Sequence, residues 1–192
     1  MSFTYATLKT AIQDYSESSE TSFVNNLPTF IKSAEERILK SVQLDVFRKN
    51  VTGTGTASNT YLTKPSDFLF SFSLAVQDSS NNYSFLKLKD VSFIRDFTPS
   101  SSTTGQPKYY ADFSDDTFIL APTPNSNYTF ELHYFYRPAS LTAGVENGTT
   151  WLSDNAPNAL LYGSLVEAAV YLKNDNDIAV FQSKFGESIG LL

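Results

Sequence analysis

The sequence predicts an α+β fold, a helical bundle core built from N- and C-terminal helices with a central antiparallel β region between them. Three observations predict it. From Leu27 to Val42, the apolar residues Phe30, Ile31, Ala34, Ile38 and Val42 recur at helical spacing. From Thr149 to the end, two more series do the same: Leu161, Leu165, Ala168, Leu172, then Ile178, Phe181, Phe185, Ile189. Between these ends, Leu44 to Tyr136 is rich in Thr, Ser, Asn, Tyr and Phe and is punctuated by turn residues. Helices flank strands instead of alternating with them, so a doubly wound sheet is not expected. The expectation is a single domain over residues 1–192, with helices at about 4–43 and 156–190 and a β-rich insertion at about 44–137.

In chain order, Thr4 suits the cap of a helix through Leu8, Ala11 and Ile12 to Tyr15. SESSET is a polar connection, and Phe23–Asn26 forms a further turn. The next helix starts at Leu27 with Pro28 in its first turn, and places Glu35, Glu36 and Lys40 on its polar side; Glu36 and Lys40 form an i,i+4 pair. VTGTGTAS reads as a flexible loop. Phe70–Gln77 and Tyr83–Lys89 read as strands joined by the DSSNN turn. Asp90 caps a short helix, VSFIRDF, and TPSSSTTGQP is a loop. Pro107–Phe113 and Thr117–Ala121 flank a tight SDD turn. Asn127–Arg137 alternates, with Tyr128, Phe130, Leu132, Tyr134 and Tyr136 on one face. Trp151 leads through a turn to Pro157, a long amphipathic helix, a polar break and a final helix.

Composition bounds the function. The 192 residues are 41% hydrophobic and 18% charged, the balance of a globular chain. The 16 Phe, 11 Tyr and 1 Trp suit a β-rich core and interface cores. A net charge of −6 argues against a grip on nucleic acid, which needs a Lys/Arg excess. With no cysteine there is no disulfide framework and no thiolate metal site. No secretory signal and no apolar run long enough to span a membrane are read in it. The sequons at Asn50, Asn82, Asn127 and Asn147 are therefore taken as chance.

Candidate chemistry is sparse. His133 is the sole histidine, on a strand face opposite Leu132; a metal site would need a second His or a Cys, so it reads as a surface or interface residue. Asp115 and Asp116 occupy a turn, where Asp is favoured and stays solvated with an ordinary pKa. The Asn174–Asp177 cluster lacks the glycine and glutamate of a calcium loop, and Asp177 reads as a helix cap. Gly53 and Gly55 lack the third glycine of a dinucleotide turn. Lys87, Lys89 and Arg95 read as a solvated strand edge. No catalytic, metal or cofactor residue is assigned, and an enzyme is not expected.

Two segments carry a resemblance. The first is LPTFIKSAEERILKSV, with Pro28, Phe30, Ile31, Ala34, Glu35, Arg37 and Ile38. The second is TWLSDNAPNALLYGSLVEAAVYLKNDNDI, where a W-L pair, a Pro-initiated helix and a polar break recur together. YLTKPSDFL and the segment from Arg137 to Thr142 fit between them in the same order. The chain in this respect resembles the head–tail adaptor (connector, or head completion) proteins of tailed bacteriophages. The resemblance implies a structural virion protein of the neck, assembled in the host cytoplasm, which joins the portal to the tail and helps retain packaged DNA. It implies a homo-oligomeric, twelve-subunit ring, with partners in the portal protein and a downstream tail (nozzle or tube) protein. DNA would pass through the lumen without specific binding; twelve copies would carry roughly −72 in formal charge, which repels it. It also implies that the C-terminal segment docks on the portal, which would place Phe185, Ile189, Leu191 and Leu192 there. The apolar end of the chain suits a segment that orders on assembly; the alternatives are that it folds back on the subunit's own core or that the first helix makes the attachment. The polar loop tips, with Ser79, Asn81, Asn82, Ser101 and Thr103, are expected to meet the next tail component or a neighbouring subunit. An alternative is a tail or base-plate module that recognises a host-surface glycan through exposed aromatics in a groove. An enzyme with a pocket around His133 is a further one.

Overall fold

The computed structural model describes residues 2–78, 80–100 and 102–192. It is an α+β fold that divides into two compact units: a helical one, Met1–Leu44 with Ala139–Leu192, and a β-rich one, Asp45–Pro138.

The helical unit begins with α1, Tyr5–Ser16. Thr4 caps it by accepting the Thr7 amide, and the Thr7 hydroxyl accepts the Thr4 amide in return. The next helix, α2, spans Thr21–Ser41 and so begins well before Leu27, with Pro28 in its interior. An interior proline costs a helix about 3 kcal/mol. Burial of Phe23 and Leu27, both fully enclosed, returns about 1.5–3 kcal/mol each. Burial outweighs the break, and what reads as a turn plus a helix is one element. Its Glu36–Lys40 pair forms, at 3.5 Å, but Glu35 lies on the buried side.

After the β-rich unit the chain returns through a 3-10 turn, Leu141–Ala143, into α4 (Trp151–Asn155), α5 (Pro157–Leu172) and α6 (Asp175–Ile189). Trp151 thus opens a short helix, capped by Thr150 and Ser153, where a turn was expected. Leu161, Leu165 and Ala168 are buried as the spacing implies; Leu172 is exposed, while Ala159, Leu160, Val166 and Ala169 are buried too. Helix α5 is therefore enclosed on nearly all sides, not amphipathic, because α1, α2, α4 and α6 all pack on it. Gly163 permits the closest approach: a Cβ there would lie 3.0 Å from both the Ala34 Cβ and the Phe185 ring. Asn174, not Asp177, precedes α6; Asp177 sits in the first turn and accepts from the Asn174 amide group.

The β-rich unit holds two four-stranded sheets. The first orders β1 (Arg48–Gly55), β10 (Tyr128–Tyr136), β3 (Phe68–Gln77) and β4 (Tyr83–Phe85), all antiparallel. The second orders β2 (Tyr61–Thr63), β8 (Thr117–Ala121), β7 (Tyr109–Ser114) and β5 (Lys87–Leu88). A small parallel pair joins β6 (Thr104–Gly105) to β9 (Thr123–Pro124), and α3 (Val91–Phe97) follows Asp90. VTGTGTAS is mostly strand rather than loop, because β10 supplies a full-length partner for it. Phe130, Leu132 and Tyr134 face inward as the alternation predicts, and meet Leu74, Val76, Phe118 and Leu120 in one core cluster.

Candidate interaction surfaces

The end of α6 is built outward from Phe185. Its side chain is buried, stacked against Gly163 and covered by the Arg37 guanidinium at 4.7 Å from the ring centre. Arg37 in turn donates to Glu167 at 3.1 Å and to Gln182 at 2.8 Å, fixing α6 to α2 and α5. Phe185 is thus a core residue, not part of a free tail. The helix runs through Gly186 to Ile189, and Ile189 is half-buried. Beyond it Leu191 is 88% exposed and Leu192 37%. The two leucines border a small depression of about 140 Å³ with Pro157, Ala159 and Ser188. The structure therefore leaves an apolar tip just beyond the end of α6.

The β-unit loops are structured by their own polar groups. Asp78 accepts the backbone amides of Asn82 and Ser80 and the Asn82 side-chain amide, at 2.8–3.0 Å. These bonds, that from the Asn82 amide foremost, hold the Asp78 carboxyl below its ordinary range. Asn81 takes the left-handed conformation, φ 61°, that the turn needs. Thr103 donates its amide to the Ser100 carbonyl. Ser79 and Ser101 lie outside the described residues.

Tertiary structure assembles two features that local patterns hide. The first is an aromatic face. Two irregularities in the β3–β10 register turn Phe70 and Phe72 to the side opposite Phe68. There they meet Phe135 at 4.9 and 5.0 Å, with His133 at 5.3 Å from Phe72 and the Arg48 guanidinium 4.4 Å over the same ring. His133 therefore contributes to a surface, half-buried against the Phe72 ring. Alternation alone would have put Phe68, Phe70 and Phe72 on one face; only the bulges separate them.

The second is a polar clasp beside a cavity. Asp67 accepts from Lys49 Nζ at 2.8 Å and from the Tyr134 hydroxyl at 2.7 Å. Partial burial pushes the Asp67 carboxyl up, but these two bonds outweigh it and hold the group below its ordinary value. The bond to Asp67 raises Lys49, and burial together with Asp67 raises Tyr134. All three shifts stabilise one charge state across neutral pH, which suits a clasp and not a proton shuttle; general acid–base work favours pKa values near the working pH. Next to it, Lys64 is enclosed, donating to the Ser114 carbonyl at 2.7 Å and to Asp112 at 2.9 Å, with its ammonium 4.8 Å over Phe118. The adjoining cavity measures about 510 Å³.

The remaining charged candidates are structural. Asp116 accepts from the Ser114 and Thr117 hydroxyls, which lower its pKa, so it does not keep the ordinary value expected of a solvated turn carboxylate. Lys89 lies 5.1 Å over Phe93, and Arg95 donates to the Tyr61 hydroxyl at 3.3 Å. Among the described residues, no group of three or more His, Cys, Asp or Glu could hold a metal, and no helix is long and apolar enough to cross a membrane.

Comparison with curated proteins gave no significant match. A family model described as SU10 adaptor protein matches residues 3–192, which takes in both compact units. The chain thus belongs to the SU10 adaptor protein family, and so is a phage structural protein of the adaptor type.

Proposed function

We propose that this protein is the subunit of an adaptor ring that joins the portal to the tail in the virion neck and helps retain packaged DNA. The observation that carries the reading is the family match over residues 3–192, in the same order as the sequence motifs at both ends of the chain. On this reading residues 1–192 serve as one adaptor domain, twelve copies close a ring through a heterologous interface, and a downstream nozzle or tube protein binds the far side. The net charge of −6 supports a lumen that DNA traverses without being held. The exposed tip Leu191–Leu192, on a helix anchored by Phe185 and Arg37, supports portal docking there. The loops at Asn81–Asn82 and Thr103 are then contacts to a neighbour or to the tail.

The test is deletion of Ile189–Leu192. The truncated chain should keep wild-type circular dichroism yet fail to join portal-bearing heads, while the intact chain joins them and forms rings by negative-stain microscopy. Incorporation of the truncated chain at the normal level would move the attachment elsewhere. A second reading draws on one observation: a groove of about 530 Å³ lined by Phe70, Phe113, Leu69, Asp112 and Asp115, an aromatic and carboxylate lining that suits a sugar. Binding of the purified chain to a host glycan would favour it.

A further inference from the structure

The two four-stranded sheets present four outer edges among the described residues, and three of them are blunted. β4 and β2 are three residues long, and β5 is two, one of them Lys87, with Lys89 directly after it. Short strands and lysines are how proteins keep edges from pairing. The fourth edge, β1, is eight residues long and exposed over most of its length. Its register with β10 is unbroken from Arg48↔Phe135 to Gly55↔Tyr128, so no bulge twists it away. The charges at its start are tied down, Arg48 to Asp45 at 2.7 Å and Lys49 to Asp67 at 2.8 Å. From Asn50 to Gly55 it carries no charge and no proline.

The side chains of the same strand leave a gap. Opposite Leu132, Phe130 and Tyr128, its inward positions are Val51, Gly53 and Gly55. The Phe130 ring fills the space at Gly55, but a Cβ at Gly53 would meet nothing within 4 Å. The 510 Å³ cavity opens here, between β1 and the Leu62–Asp67 segment, over a floor of Leu74, Phe118 and Leu132. An unpaired peptide ladder thus borders a hollow with an apolar floor.

We propose that the free edge of β1 docks an extended segment of another protein, which adds as a fifth strand and lowers alternate apolar side chains into the cavity. The edge offers peptide N–H and C=O groups in register, and an extended polypeptide is the ligand that matches them. A sugar or lipid could fill the hollow but not the ladder. A second copy of this chain does not fit: its own β1 would present Val51 and two glycines to the hollow, and its other edges are too short. The inference rests on the adaptor reading only in taking the strand from another protein of the particle.

Amide hydrogen exchange on the intact chain, free and in purified particles, tests this. Amides on the outer side of Asn50–Gly55 should exchange freely in the isolated protein and slow on the order of a hundredfold in the particle. Gly53→Ile is the matching variant. A Cβ there meets nothing within 4 Å and the cavity of about 510 Å³ adjoins it, so the protein should fold with wild-type stability, yet incorporation should fall at least tenfold, a change of about 1.4 kcal/mol. Thr129→Ile, which places the same side chain at an exposed position on β10, should incorporate normally. Unchanged β1 exchange in particles that contain the chain, or normal incorporation of a folded Gly53→Ile, would overturn the proposal and leave the adaptor reading intact. Protection of β1 in the purified chain alone, rising with concentration, would assign the edge to self-pairing and overturn it. Absence of the wild-type chain from particles would overturn both.

Discussion

Glu35 offers the sharpest test of how the helical unit is held together. It is only 6% exposed, on the inner side of α2, and its carboxylate accepts the Leu141 amide at 2.8 Å. Leu141 is itself buried and opens the 3-10 turn by which the chain re-enters this unit. Burial pushes the carboxyl of Glu35 above its ordinary value; the Leu141 amide, the Ser140 hydroxyl and Lys32 pull it back only in part. Glu35→Ala removes the acceptor and strands a buried N–H. A hydrogen bond to a charged acceptor contributes about 1.5–3 kcal/mol and an orphaned buried donor costs about 1–3, set against relief from burying a charge. The net loss should be about 2 kcal/mol, a fall in Tm of about 4–8 °C for a chain of this length. Glu35→Gln keeps an acceptor and carries no charge, so it should stay within about 1 kcal/mol of wild type. The pH dependence follows in sign. The folded state holds this proton more tightly than the unfolded chain does. The group's contribution is therefore most favourable below its ordinary value of 4.5 and is lost as pH rises through the folded pKa. Urea titrations of wild type and Glu35→Gln at about pH 4 and about pH 7 should show the variant gaining relative to wild type at the higher pH. If Glu35→Ala matched wild type, or Glu35→Gln were as damaging as Ala, the hydrogen bond to Leu141 would not be what secures the turn.

Two further outcomes follow from burial and from turn chemistry. Leu165 is fully enclosed on α5, so Leu165→Asp places an unpaired charge in the helical core and should leave no soluble folded protein; a normal circular dichroism spectrum would refute that packing. Asp78→Ala should free the Asp78–Asn82 turn without unfolding the sheet, read as faster amide exchange at Ser80 and Asn82. Because the Asp78 carboxyl is lowered, the ordering it provides is present above the ordinary value of 3.8 and is lost as pH falls through the lowered one; exchange in this turn that ignored acid would contradict it.

Much of this fold was legible because period and polarity are local properties. The cap at Thr4, the inward face of β10 and the Asp78–Asn82 turn each follow from a few neighbouring residues, and each stands where the pattern puts it. The motifs at the two ends likewise pointed to the adaptor family before any packing was known. What failed were readings in which a local rule met a distant partner. Pro28 reads as a helix start until Phe23 and Leu27 are seen buried. VTGTGTAS reads as a loop until β10 pairs with it, and α5 reads as amphipathic until four helices surround it. Glu35 reads as a solvent-facing acid until Leu141, 106 positions away, donates to it. The same holds for the surfaces. Leu191 and Leu192 could be named from sequence as an exposed tip, but not the burial of Phe185 beneath Arg37. Sequence also gives no sign of the cavity beside β1, since a hollow is defined by atoms that several strands fail to supply. Most of the secondary elements and the family were readable from the sequence alone, because both are written in short-range spacing. Tertiary structure decided which edges and faces stay open, because that depends on the residues, distant in sequence, that cover or fail to cover them.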